Sequence, residues 1–129
     1  MTKLLLTGCF DIMHIGHMRM LKYAASICDT LIVAIDSDEK TKKDKGENRP
    51  FNEQNIRKEF LENIKGITEV LIFNSDTELE ELCNDIRPDI RLVGSDWKGK
   101  NIVGQQYCKK IIYFDRVGDY STTNILERR

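Results

Sequence analysis

The sequence predicts an α/β fold in a single domain of 129 residues, with a parallel sheet of about five strands and helices on both faces. Three observations indicate this fold. Short apolar runs alternate with segments of helical periodicity, the connections are short, and no repeat or low-complexity tract interrupts the pattern. Ligands bind such sheets at the carboxyl ends of the strands. The polar strand ends expected to meet there are residues 8–11, 36–38, 94–96 and 115–121.

The first part of the chain predicts two strands and a helix, followed by a loop. The apolar run 4–6 predicts the first strand, and apolar residues at helical spacing predict a helix over residues 15–28. The continuous apolar run 31–35 is typical of a strand buried on both faces. Residues 41–50 are polar and contain glycine, so they predict a loop, which serves either as a solvated linker or as a lid over a ligand.

The rest of the chain continues the alternation. In order, the sequence predicts a helix over residues 52–64 capped by Asn52, a strand at 70–73, a helix at 76–86, a strand at 90–93, a short helix at 102–109, a strand at 111–114 and a last helix at 122–128 capped by Ser121. Joining parallel strands in this way requires right-handed crossovers through the helices.

Composition excludes several classes of function. A net charge of -1 with 32% charged residues argues against general nucleic-acid binding, which needs a basic surface. The four cysteines are scattered without a CxxC pair, which is typical of reduced thiols in the cytoplasm. The sequence shows neither a signal peptide nor an apolar run of membrane-spanning length. We therefore expect a cytoplasmic protein without a nucleic-acid or membrane partner.

Both histidines of the chain lie where the first strand is expected to turn into a helix. His14 and His17 are three residues apart and therefore share one helix face, beside the free N–H groups that attract anions to a helix N-terminus. This arrangement predicts a phosphate site, although neither a P-loop nor a GxGxxG motif is present. Two alternatives remain: a zinc site that also uses Cys9, and a purely structural histidine pair.

Two segments resemble the signatures of a known family. Gly8-Cys9-Phe10-Asp11 followed by His14-Ile15-Gly16-His17 resembles the G-[TC]-F-D-x-x-H-x-G-H signature of the cytidylyltransferase-like nucleotidyltransferases, and Ser121-Thr122-Thr123 resembles their second signature. The resemblance implies a Rossmann-like fold. Two further segments resemble different members: residues 94–100 are similar to glycerol-3-phosphate cytidylyltransferases, and residues 45–50 to heptose-1-phosphate adenylyltransferase domains.

The resemblance implies transfer of a nucleoside monophosphate to a phosphorylated alcohol with release of pyrophosphate. From the sequence we favour CTP and an acceptor such as glycerol 3-phosphate. The alternative is an adenylyltransferase that uses ATP and a heptose or other sugar phosphate, and a further alternative is a non-catalytic nucleotide-binding module. Mg²⁺ is the expected companion of the triphosphate, and the resemblance implies a homodimer.

The family motifs also assign roles to single residues. The expected catalytic residues are His14, His17, Lys45 and Arg57. His14 and His17 are expected to bind the phosphates, in charged forms favoured by the anions, Lys45 to close over them, and Arg57 to face the acceptor phosphate. Asp11 either orients a histidine or helps to hold Mg²⁺, and Trp97 either stacks on a ligand or packs in the core. The residues expected to bind the nucleotide are Gly8, Cys9, Phe10, Asp11, Gly16, Asp96, Arg116, Ser121, Thr122 and Thr123.

Overall fold

The computed structural model describes residues 1–115 and confirms the predicted α/β fold. Its elements in chain order are β1 (Lys3–Gly8), α1 (Ile15–Ser26), β2 (Thr30–Asp36), α2 (Asp38–Lys45), α3 (Gln54–Glu62), β3 (Glu69–Phe73), α4 (Asp76–Ile86), β4 (Ile90–Gly94), two 3₁₀ turns (Ser95–Trp97 and Gln105–Tyr107) and β5 (Lys110–Phe114). The strands form one parallel sheet in the order β3-β2-β1-β4-β5, which places β1 at its centre.

The alternation of side chains along β1 divides the core into two layers. Leu4 and Leu6 pack with α1 and α3, whereas Leu5 packs on the opposite face with Leu79 and Cys83 of α4. All three leucines have no exposed surface. A strand buried on both faces has to be a continuous apolar run, which is the pattern that the sequence carries here.

The prediction of a loop over residues 41–50 is wrong in its first half, because α2 continues to Lys45. The Ser37 hydroxyl caps this helix by accepting a hydrogen bond from the Lys40 amide at 3.1 Å. Acidic residues occupy the first turn and lysines the last, which complements the helix dipole. Capping and charge therefore stabilise this helix. It has no apolar stripe, so hydrophobic periodicity in the sequence does not predict it.

Two further sequence predictions are corrected. The helix predicted from Asn52 begins at Gln54, and Glu53 occupies the capping position. The short helix predicted at 102–109 is only a 3₁₀ turn, which follows Gly104 in the left-handed region at a φ of 80°. A Cβ at Gly104 would lie 2.5 Å from the Cys83 sulfur, so this turn packs directly on α4. The predicted last helix lies outside the described residues.

Candidate active site

A cleft of about 350 Å³ opens at the carboxyl ends of the central strands. The chain winds from β1 to β2 and β3 on one side of the sheet and continues with β4 and β5 on the other, so the cleft lies at the point where the strand order reverses. Its walls carry charged and apolar side chains. The lining residues are Thr7, Gly8, Cys9, Asp36, Lys40, Asp44, Lys45, Phe73, Asp76, Leu79, Arg91, Val93, Gly94, Trp97, Ile102 and Val103.

The two histidines form a stacked pair at the start of α1. His14 is the N-cap, and its Nδ1 accepts a hydrogen bond from the Gly16 amide at 3.1 Å. The Nδ1 of His17 accepts from the His14 amide at 3.3 Å, and the two ring centroids lie 3.8 Å apart. Because both Nδ1 atoms act as acceptors, the proton of each neutral ring is on Nε2. The local capping contacts therefore turn both histidines into Nε2–H donors.

His17 is held neutral at pH 7. Burial lowers its pKa to about 4, with smaller contributions from His14 and from the positive charge of Lys45. The Phe10 ring, whose centroid lies 5.1 Å from that of His17, contributes to this burial. The protein itself thus disfavours the charged histidine expected from the sequence, and only an anion bound nearby would restore that charge.

Lys45 connects the histidine pair with the cleft. It occupies the last position of α2, lines the cleft, and its charge lowers the pKa of His17. Lys45 is exposed, so its long side chain has room to move towards a ligand. It is therefore placed as a cation beside a phosphate site, although on a helix rather than in the predicted loop.

The turn from Gly8 to Phe10 fits together tightly. A Cβ at Gly8 would lie 2.9 Å from the Phe10 ring, so the ring itself occupies the space that the glycine leaves free. Phe10 has a φ of 51°, and the Cys9 sulfur lies 3.6 Å from the Thr41 hydroxyl. The need for glycine at this turn is explained by the approach of Phe10 as well as by the room that a nucleotide would need.

Asp11 is buried and binds the chain that precedes α3. Its Oδ2 accepts hydrogen bonds from Arg49 Nε at 3.1 Å and the Phe51 amide at 2.8 Å, and its Oδ1 accepts from the Asn52 amide at 2.7 Å. Burial acts to raise the pKa of Asp11, but these hydrogen bonds outweigh it and lower the pKa. Both oxygens are thus bound by protein donors of residues 49–52, whereas the sequence predicts that Asp11 either orients a histidine or helps to hold Mg²⁺.

Arg57 is also buried and lies away from the cleft, in contrast to its expected contact with the acceptor phosphate. Its guanidinium donates to the carbonyls of Asn52, Cys9 and Asp36 at 2.8–2.9 Å, and forms an ion pair with Asp38 at 2.8 Å. These contacts join the ends of β1 and β2 to the helices that follow. Arg57 therefore positions the cleft walls without lining the cleft.

Two basic residues of the cleft were missed at the sequence level. Arg91 lies on β4 and is 3% exposed, and Lys40 of α2 is surrounded by the carboxylates of Asp36, Asp44 and Asp76. The signal for Arg91 in the sequence is a single arginine within the otherwise apolar strand at 90–93. Burial raises the pKa of Asp36, although the lysines nearby act against this rise.

The remaining predicted residues lie around the rim or outside the described chain. Trp97 is 48% exposed and lines the cleft, so it is not a core residue. Asp96 is exposed in the first 3₁₀ turn, and the Gly16 amide is used by His14. Within residues 1–115 no group of three metal-ligating side chains is present, so the predicted zinc alternative has no support there. The residues that lie outside the described part are Arg116, Ser121, Thr122 and Thr123.

A family model and curated relatives were compared with the sequence of this chain. The sequence model described as "Cytidylyltransferase-like" matches residues 5–128. The bifunctional protein HldE of Nitratiruptor sp. is 42% identical over 94% of this chain, and that of Campylobacter fetus is 39% identical over 98%. The chain spans only 26% and 28% of the length of these two relatives.

Among solved structures, the lipopolysaccharide core biosynthesis protein from Thermoplasma volcanium GSS1 has the same fold. It aligns with a TM-score of 0.70 over 94% of this chain and 99% of that chain. Its sequence identity of 20% supports the fold alone. No helix within residues 1–115 is long and apolar enough to cross a membrane.

Proposed function

Since the chain belongs to the cytidylyltransferase-like family, we propose that it is a nucleotidyltransferase that moves AMP from ATP to a sugar phosphate and releases pyrophosphate. The observation that carries this proposal is the stacked pair of His14 and His17 at the start of α1, in which both Nδ1 atoms accept backbone amide protons and the proton of each neutral ring is therefore on Nε2. Lys45 lines the cleft and its charge acts on His17, although neither histidine is among the cleft-lining residues. The arrangement supplies hydrogen-bond donors and a cation where a triphosphate would meet its acceptor.

The relatives favour ATP and a sugar phosphate over the CTP and glycerol 3-phosphate that we place first from the sequence. The resemblance of residues 45–50 to heptose-1-phosphate adenylyltransferase domains supports the same choice. We therefore take heptose 1-phosphate as the leading acceptor. The cytidylyltransferase alternative rests on one specific observation, the similarity of residues 94–100 to glycerol-3-phosphate cytidylyltransferases.

The proposed reaction requires positioning more than proton transfer. A phosphate monoester has its second pKa near ~6, so its oxygen is already a competent nucleophile at pH 7. That oxygen attacks the α-phosphorus of ATP, a new P–O bond forms, and the bond to the β-phosphate breaks to release pyrophosphate. The protein has to align two polyanions and stabilise the negative charge that develops between them.

The described residues provide for both tasks. His14 and His17 donate from Nε2 to phosphate oxygens, and their orientation is fixed in advance by the capping contacts of α1. An anion bound nearby raises the pKa of His17 from about 4. The neutral ring keeps the bond from the His14 amide to its Nδ1 and acts as a donor through Nε2–H. Lys45 adds a positive charge from the end of α2.

Mg²⁺ enters this proposal together with the triphosphate. Residues 1–115 contain no group of three metal-ligating side chains, and the oxygens of Asp11 are occupied by protein donors. The metal would therefore be held mainly by the phosphates, whose charge it neutralises. The homodimer implied by the family resemblance remains a prediction.

A ligand screen tests the nucleotide. With Mg²⁺ present, we expect ATP to raise the midpoint of thermal unfolding more than CTP, GTP or UTP, because a ligand that binds the folded state stabilises it. Pyrophosphate release from ATP should then depend on heptose 1-phosphate and not on glycerol 3-phosphate. Stabilisation by CTP together with turnover of glycerol 3-phosphate would instead support the cytidylyltransferase. No response to any of the four nucleotides would favour the non-catalytic module.

The histidine pair is tested by His17→Ala. We expect kcat to fall by about 10²–10³, the range measured when one donor to a transition state is removed. Lys22→Ala is a matched control, because Lys22 is an exposed residue of α1 that does not line the cleft. A rate within a few-fold of wild type for His17→Ala would remove this residue from the mechanism.

A further inference from the structure

Arg91 places a buried positive charge in the wall of the cleft. It is 3% exposed and is held at the end of the sheet by two polar contacts: Nη2 donates to the Thr7 hydroxyl at 3.1 Å and Nη1 to the Val103 carbonyl at 2.8 Å. Nη1 also lies 3.5 Å from the Cys83 sulfur. The guanidinium is therefore fixed between β1, α4 and the segment before β5, next to the turn that leads to the histidines.

The charge of Arg91 has no carboxylate partner in the described chain. None of the ion pairs within residues 1–115 includes Arg91, and its Nε is buried without a hydrogen-bond partner. The two other buried or half-buried arginines near the site differ, since Arg57 pairs with Asp38 and Arg49 with Asp11. A buried charge without a partner is costly for folding, so its retention in a cleft points to a ligand.

The thiols of Cys83 and Cys108 do not neutralise the positive charge of Arg91. A hydrogen bond from Cys83 and the positive charge of Arg91 lower the pKa of the Cys108 thiol, whereas the same pairing raises that of Cys83. The Cys108 thiol donates to the Gly104 carbonyl at 3.5 Å, which is the contact of a neutral thiol. The arginine contacts are otherwise neutral acceptors, which a shorter, uncharged side chain would satisfy at lower cost.

The other basic residues of the cleft narrow the choice of ligand. Lys40 is neutralised by three carboxylates, and Arg57 lies outside the cleft. Of the cations that line the cleft within residues 1–115, Lys45 and Arg91 are those that make no ion pair. The positive charge of Lys45 lowers the pKa of His17, so we assign Lys45 to the triphosphate that the histidines would bind. Arg91 is then the cleft cation that remains for the second polyanion of the reaction, which is the phosphorylated acceptor.

We propose that Arg91 binds the phosphate group of the acceptor in this cleft, the role that the sequence analysis gives to Arg57. The proposal rests on the proposed function, because it assumes that a phosphorylated acceptor reacts there. A planar guanidinium fits this task, since its fixed donors match the oxygens of a phosphate group. Thr7 and Val103 hold the guanidinium in orientation, and its buried Nε–H has no hydrogen-bond partner within residues 1–115.

The test compares Arg91→Met with Arg91→Lys, with ATP and heptose 1-phosphate as substrates. Loss of one charged hydrogen-bonding group should raise the KM for heptose 1-phosphate about 10- to 100-fold in Arg91→Met and leave the KM for ATP within about two-fold. Arg91→Lys keeps the charge and loses the planar fork, so its KM for the acceptor should lie between those of wild type and Arg91→Met.

Arg87→Met is the matched control, because Arg87 is the C-cap of α4, its guanidinium donates to Asn84 and stacks on Tyr107, and it does not line the cleft. It should leave both KM values unchanged. Thermal unfolding with and without ATP is measured for every variant. If Arg91→Met does not fold, the Arg91→Lys comparison decides the proposal, since an unchanged acceptor KM there would contradict it.

Three results would overturn the proposal. An unchanged acceptor KM in folded Arg91→Met would make the residue structural, and a rise confined to the KM for ATP would assign it to the nucleotide. An effect seen only with an acceptor that carries a second acidic group, such as a uronic acid 1-phosphate, would assign it to that group. In all three cases wild type still turns over, so the proposed function stands. Failure of wild type to bind ATP or heptose 1-phosphate would overturn both.

Discussion

Replacement of Asp11 by alanine should destabilise the protein strongly, although no part of Asp11 faces the cleft. The side chain of Asp11 has no exposed surface and accepts hydrogen bonds from the Phe51 and Asn52 amides and from Arg49. Removing one partner of a buried ion pair typically costs about 3–5 kcal/mol, because the remaining charge and donors stay desolvated. Since domains have a total stability of about 5–15 kcal/mol, this is a large share.

Urea denaturation followed by circular dichroism measures this loss, with Asp11→Asn as the control of the same shape. Asparagine keeps one acceptor oxygen but presents an N–H₂ group to donors, so we expect an intermediate loss. The wild type should also be less stable in acid. The lowered pKa of Asp11 contributes stability that is complete above its unfolded value and is lost as the pH falls through its folded value.

The result that would refute this reasoning is a loss of less than about 1 kcal/mol in Asp11→Ala, the scale of an ordinary single hydrogen bond. It would mean that residues 49–52 do not depend on Asp11 for their position. A large loss in Asp11→Ala with none in Asp11→Asn would show that the shape of the side chain, and not its charge, is what the loop requires.

Three further predictions concern the turn and the histidine. Because the folded protein keeps His17 neutral down to about pH 4, stability should fall as the pH drops from 6.5 towards 4, and His17→Gln should lack this part of the loss in pH-dependent urea titrations. Lys45→Ala should raise the pKa of His17, measured by NMR titration of the imidazole, and raise the KM for ATP; if the pKa, KM and kcat all stay unchanged, Lys45 is only a surface residue. Gly8→Ala should lower stability by about 1–3 kcal/mol, because the new Cβ would lie 2.9 Å from the Phe10 ring, and thermal unfolding within error of wild type would contradict that packing.

The sequence by itself determined the sheet, the order of its elements and the place of the histidines. Strands such as β1 and β2 are buried on both faces and therefore have to be apolar throughout, which makes them visible as continuous runs. His14 and His17 are close because helix geometry brings residues three apart together. Such local relations need no knowledge of the rest of the chain.

Only the tertiary structure decided which charged residues face the cleft. The sequence motifs indicate Arg57 and give no sign of Arg91, but contacts with Cys9, Asp36 and Asp38, which lie 19–48 positions away along the chain, turn Arg57 from the cleft. The Thr7 hydroxyl, 84 positions from Arg91, meets its guanidinium only because β1 and β4 are neighbours in the sheet. The role of a charged side chain depends on the residues that it contacts, and contacts between residues this far apart in the sequence are set by the packing of the fold.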